Sequence, residues 1–400
     1  MNNVTSAQLA RFLDEELYRH VIPFWLRHAV DQEHGGLLTC LDENGNVLST
    51  DKYVWSQTRA LWVFSTLALR TSETRYRTLA EALFTFCAGH GRNERGEWVF
   101  RLSREGDVLQ GADSIYTDGF AIMGLAAYWT LTRSPHAAAL LRETCESVRS
   151  RLVRPGSYGT KPYDLPPGTR VHAVEMLFSM AFWEAGRTLE DESLIAESIK
   201  HAMDILDHFM SDEDHAIREF LDLDNRPLPG TIGTCCLPGH AFESMWTLIR
   251  IFRSIGRMDL VDRCVEILHW HLEKGWDSDS GGIFLAIDLA GQPPYWPFAD
   301  YKPWWPQVEG MYAALLAYAE TRKPWSLPWY ARLHNYAFTH YPVRPDGEWY
   351  NRLDRQGKPV TDVIALPVKD PFHLPRALMF MHDTLESLPA GTEIPDLLIG

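Results

Sequence analysis

The chain has no apolar run of membrane-spanning length, which removes a transmembrane role. Its first ten residues lack the basic-then-apolar layout of a secretory leader. Cysteine is scarce, with six in 400 residues, and none falls in a CxxC pair or beside a His-rich stretch. Cys40, Cys87, Cys145, Cys235, Cys236 and Cys264 therefore read as reduced core thiols. Basic residues are in deficit: the net charge of −15 argues against nucleic acid and anionic membranes as partners. There is no Walker A loop, no dinucleotide fingerprint, no G-x-S-x-G elbow and no H-E-x-x-H zinc spacing. These absences leave the expectation of a soluble, cytoplasmic protein.

What is present is repetition. Glycines ten positions apart frame short alternating apolar segments at Gly35–Gly45, Gly96–Gly106, Gly281–Gly291 and Gly347–Gly357. Each frame is written like a short β-hairpin. A degenerate copy lies at 218–225, and the spacing near sixty residues places a weak sixth around Gly156–Gly159. Between the frames, apolar residues recur with helical periodicity. It predicts twelve helices, at 7–28, 54–72, 75–91, 114–132, 135–153, 171–189, 191–211, 238–256, 258–273, 303–321, 326–341 and 371–388. Short links alternate with long ones that hold the hairpins. This pattern predicts an all-α (α/α)6 barrel with every long loop at one end. No linker or shift of composition divides the chain, so residues 1–400 read as one catalytic domain.

The long loops feed the even-numbered helices, whose N-termini then meet at one mouth. Their first turns are polar and aromatic. Helix two has Trp55 and Arg59, helix four Tyr116 and Asp118, and helix six His172 and Glu175. Helix eight has His240 and Glu243, helix ten Trp304, Trp305 and Glu309, and helix twelve His373 and Arg376. Six such termini also favour an anionic intermediate.

His240 with Glu243, and His172 with Glu175, stand at i and i+3 and share a helix face. A carboxylate beside an imidazole suits a general acid or base near neutral pH. The same pairs also fit a surface ion pair, a satisfied core histidine or metal ligation. Arg59, set among Trp55, Leu61, Trp62 and Phe64, needs an anionic partner if buried, either a ligand or a carboxylate such as Glu243 or Glu309. Trp55, Trp304 and Trp305 are either core or a stacking surface for a sugar ring.

With these residues in view, the chain resembles the N-acylglucosamine 2-epimerase superfamily over nearly its whole length. The resemblance rests on Phe-Trp-Leu-Arg-His-Ala-Val-Asp-Gln-Glu-His-Gly-Gly (24–36), Asp-Lys-Tyr-Val-Trp-Ser-Gln-Thr-Arg (51–59) and Pro-Gly-His-Ala-Phe-Glu (238–243). Gly-Trp-Asp-Ser-Asp-Ser-Gly-Gly (275–282), Trp-Trp-Pro-Gln-Val-Glu (304–309), Gly-Glu-Trp-Tyr (347–350) and Phe-His-Leu-Pro-Arg (372–376) extend it. It implies an (α/α)6 barrel and an isomerase that inverts C2 of a reducing sugar without metal or other cofactor. By resemblance, His240 and His373 are the acid/base pair and Arg59 stabilises a cis-enediolate. Glu243 tunes His240, and His172 assists ring opening or binds O1. Trp55, Tyr116, Asp118, Glu175, Trp304, Trp305 and Glu309 would bind the sugar. The stretch Val-His-Ala-Val-Glu (171–175) resembles the branch acting on free sugars, which favours mannose and glucose over N-acetylglucosamine and N-acetylmannosamine. Mannose–fructose isomerisation and glycoside hydrolysis by two carboxylates remain alternatives. A homodimer is also compatible with the resemblance.

Overall fold

The computed structural model describes residues 3–345, 347–361, 369–389 and 391–399. Twelve helices run through them. The first, α1, is continuous from Ser6–Glu15 through a π-form segment, Glu16–Val21, to Ile22–His28. It is followed by α2 (Val54–Thr71), α3 (Thr74–His90), α4 (Ile115–Thr132), α5 (Pro135–Leu152) and α6 (His172–Leu189). Next come α7 (Glu192–Asp204, prolonged by a π turn at Ile205–Phe209), α8 (Pro238–Ser254) and α9 (Met258–Gly275). The last three are α10 (Trp304–Thr321), α11 (Ser326–His340) and α12 (His373–Ser387).

The even-numbered helices pack on one another in sequence to form an inner ring, and each carries an odd-numbered helix outside it. This is the (α/α)6 barrel. Inner helices are enclosed on all sides, so their sequences are apolar almost all round; α4 is buried without a break from Ile115 to Tyr128. Small residues permit the close approach: a Cβ on Gly124 would lie 2.4 Å from the Thr58 carbonyl oxygen of α2. The ring closes where Trp62 of α2 meets Phe380 of α12, with ring centroids 5.9 Å apart. The sixth αα pair joins the two chain ends, α12 with α1, tied by Val4–Thr5 pairing with Glu393–Ile394.

At the other ends of the inner helices the chain gathers into a collar. Lys52–Tyr53 pairs with Arg101–Leu102, Arg170–Val171 with Phe220–Leu221, and Cys235–Cys236 with Ile287–Asp288. Lys302–Pro303 pairs with Arg352–Leu353, and Ser114 bridges Thr160. Each long loop is thereby stitched to the next. The framing glycines form the tight turns expected of them: Gly45, Gly106, Gly291 and Gly357 all have positive φ and donate to the carbonyl three residues back. In the degenerate copy, His215 and Asn225 take the two glycine positions with φ of 47° and 65°. The sixth loop keeps its bridge at Thr160 but turns at Gly156 and Gly168. No helix among the described residues is long and apolar enough to cross a membrane.

Candidate active site

Every inner helix sends residues from its first turns into one cavity of about 780 Å³ at the collar end. Proline at the N1 position of α8 presets the backbone just ahead of His240. Next to it, Gly239 leaves room for Trp305, whose ring a Cβ would meet at 2.3 Å. Eight of the twelve residues expected at a site line this cavity: His240, His373, Arg59, Glu243, Trp55, Tyr116, Trp304 and Trp305. The Trp305 ring is close to both histidines, 5.3 Å from His240 and 5.6 Å from His373.

The other four stand behind the wall. Asp118 is buried against Arg151 of α5 at 2.6 Å, and burial, only partly countered by that arginine, raises its pKa to about 6. Glu175 accepts from His201 Nδ1 at 2.5 Å and from Arg170 at 3.1 Å, so it does not pair with His172. His172 itself is buried, its Nε2 2.7 Å from the Ser244 hydroxyl and its Nδ1 3.4 Å from Glu219. Glu309 accepts from His373 Nδ1 at 2.8 Å, from Arg376 at 2.8 Å and from the Trp246 indole at 2.8 Å. None of the four lines the cavity.

The carboxylate partners also differ from those expected. His240 donates through Nδ1 to Glu219, at 3.0 and 3.1 Å from its two oxygens, and not to Glu243. Glu243 instead accepts from Arg376 at 2.5 Å. The partner of Arg59 is Asp370, at 3.3 Å, rather than Glu243 or Glu309. The Arg59 guanidinium lies 3.7 Å over the Phe120 ring, which orients it toward the cavity wall it shares with Trp55. Glu219 and Asp370 had a signal in the sequence. Glu219 lies in the degenerate frame, where the residues suggested only a hairpin, and Asp370 stands in the Lys-Asp-Pro-Phe-His segment ahead of His373.

A carboxylate only accepts, so each Nδ1 carries a hydrogen and each Nε2 is the atom able to exchange a proton. The two rings nevertheless differ in how readily they take a proton. Burial opposes a charged His240, but Glu219 outweighs it by charge and by hydrogen bond, and the pKa rises above the usual 6.5. His373 is pushed well below 6.5, chiefly by burial; Glu243 opposes the shift, while Arg59 and Arg376 add to it. Glu219 is held down at about 2, the two histidines overcoming its burial. The mouth thus sets against one space two imidazoles with opposite tendencies to hold a proton.

Donor atoms of Glu243, Glu309 and His373 lie within 4.8 Å of one another, a spacing that suits a cation. Arg376 already bonds both carboxylates, so the cluster carries its own positive charge.

A barrel mouth that gathers two histidines among aromatic rings suits acid/base chemistry on a polar ring compound. The N-acylglucosamine 2-epimerase (GlcNAc 2-epimerase) model matches residues 26–377, and the chain belongs to this family. It is 30% identical to the N-acylglucosamine 2-epimerase of Bos taurus, over 95% of this chain and 91% of that one. Identity to the mannose-6-phosphate isomerase of Rhizobium meliloti (strain 1021) is 23%, over 96% and 99%. The solved cellobiose 2-epimerase of Spirochaeta thermophila DSM 6192 superposes with a TM-score of 0.83 at 20% identity, over 96% and 98%. The chain is therefore an isomerase acting at C2 of sugars.

Proposed function

We propose that the enzyme inverts C2 of a reducing aldose by passing a proton between His240 and His373 through a cis-enediolate. The observation that carries this reading is the pair itself: two rings facing one cavity, each anchored through Nδ1, with opposite tendencies to hold a proton. One removes the C2 proton next to the open-chain aldehyde, and the other returns a proton to the opposite face. Positioned acid/base groups of this kind contribute about 10²–10⁴-fold. Arg59 holds O1 and O2 and stabilises the developing enediolate, an electrostatic role of about 10²–10³-fold. Trp55, Tyr116, Trp304 and Trp305 hold the ring. Glu309 acts on His373 directly through Nδ1 and Glu243 acts on it through Arg376, while His172 acts by fixing Glu219, with no contact to O1.

Two substrate pairs are put forward. Mannose and glucose follow from the resemblance at 171–175. N-acetylglucosamine and N-acetylmannosamine gain support from the 30% identity to the mammalian enzymes. They gain more because His172, which prompted the first choice, lies outside the cavity wall. Proton NMR in D2O with each sugar tests both. The expected result is deuterium at C2 with the C2 epimer appearing for one pair. A ketose product would instead favour aldose–ketose isomerisation, and release of reducing ends from a glycan would contradict the reading.

A further inference from the structure

Both acid/base rings sit on buried carboxylates, and a carboxylate within hydrogen-bond reach ordinarily draws a proton onto an imidazole. Burial opposes the charged form of both rings, and what stands behind each carboxylate adds to the difference between them. Glu219 meets the rings of His240 and His172 and the Ala173 amide at 3.4 Å. Behind His373 the arrangement is different. Glu309 Oε1, which accepts from His373 Nδ1, also accepts from Arg376 Nη2 at 2.8 Å. The same Nη2 bonds Glu243 Oε1 at 2.5 Å, and that oxygen is 3.8 Å from His373 Nδ1. Arg376 is 1% exposed, held 4.4 Å over Phe372 and 5.0 Å over Trp246, so its charge is fixed in place.

We infer that Arg376 decides which histidine carries the proton in the resting enzyme: by engaging both carboxylates behind His373 it keeps that ring neutral and leaves the proton on His240. The catalytic meaning of this inference rests on the proposed C2 chemistry. The groups acting on His373 are Glu309 from α10, Glu243 and His240 from α8, Arg59 from α2, and Arg376 from its own helix. Two carboxylates face two guanidinium groups, and burial then favours the neutral ring. On His240 the corresponding groups are Glu219 and Glu243, with burial alone opposing them.

The free enzyme is then poised for the epimer whose C2 hydrogen faces His373. The opposite epimer needs the reversed form, with the proton on His373 and His240 bare. Both forms hold the same number of protons, so both directions share one pH profile, and its acid limb reports His373.

The test is nitrogen NMR of histidine-labelled free protein, with the two rings assigned from His240→Gln and His373→Gln. In the unmodified enzyme, His240 is expected to be cationic at pH values where His373 is neutral. Arg376→Met should raise the pH at which His373 titrates by about 1–3 units, the effect of one nearby charge. Arg376→Lys, whose ammonium cannot span both carboxylates as the guanidinium does, should raise it part of the way and move the acid limb of kcat/KM in the same direction. If Arg376→Met fails to fold, the lysine variant alone decides. A His373 that titrates at or above His240 in the unmodified enzyme, or does not move in a folded variant, overturns the inference. Absence of C2 exchange with every sugar, alongside the expected titration order, would overturn the proposed reaction and leave the proton placement standing.

Discussion

His240 favours its protonated form because a carboxylate from the loop leading into its own helix stands directly behind it. Both Glu219 oxygens lie within 3.1 Å of Nδ1, and Glu219 is itself buried and ionised. Glu219→Gln keeps an acceptor for Nδ1 but removes the charge. The pKa of His240 should fall, since the raised value comes from that charge working against burial. The alkaline limb of the pH–rate profile should therefore move to lower pH, with activity reduced about 100-fold or more. A profile recorded from pH 5 to 10 checks this, and an unmoved alkaline limb would contradict the role given to Glu219. This contact was out of reach of periodicity arguments. Those arguments bring residues together along one helix, at i and i+3, whereas Glu219 reaches His240 from a loop 21 positions away.

At the scale of elements, two loops carry the same internal staple. Lys52 is fully buried and donates to Asp31 at 2.9 Å and to the Gly35 carbonyl at 2.6 Å. Lys302 is fully buried in the same way and donates to Asp277 at 2.9 Å and to the Arg355 carbonyl. Five residues further on, at the head of the helix that each loop feeds, Gln57 and Gln307 clamp a backbone amide and carbonyl, of Leu37 and of Ile283 respectively. Removing one partner of such a pair strands a buried charge. Lys302→Met should cost roughly 3–5 kcal/mol in denaturant unfolding. Adding Asp277→Asn should return part of that loss, and a strictly additive double variant would show that the pair is not coupled. The helices and turns themselves were legible because each follows a local rule. The glycine frame is visible wherever the left-handed positions are glycine. Its fifth copy looked degenerate because His215 and Asn225 adopt those conformations instead. The pairing of each loop with the next was not legible, since strands of two or three residues carry too little pattern to identify a distant partner.

At the scale of the molecule, the architecture converts a linear repeat into a ring of helix heads, so residues hundreds of positions apart share one cavity. Arg59 and Asp370 meet across the point where the ring closes, and His240 and His373 both approach Trp305. The barrel's symmetry made the mouth readable from sequence: long loops all lead to the same end, so every inner helix head had to point there. It did not reveal which side chains would turn inward. Asp118 and Glu175 occupy head positions yet are drawn outward by Arg151 and by Arg170 with His201. The central claim is that two histidines serve opposite faces of one C2 carbon. The most direct test follows His240→Gln and His373→Gln separately in D2O with each epimer of the accepted sugar. Each variant should exchange the C2 hydrogen of one epimer only, a different one for each variant, and neither should invert the centre. A single variant that still inverts C2, or two variants that exchange the same epimer, would contradict the account.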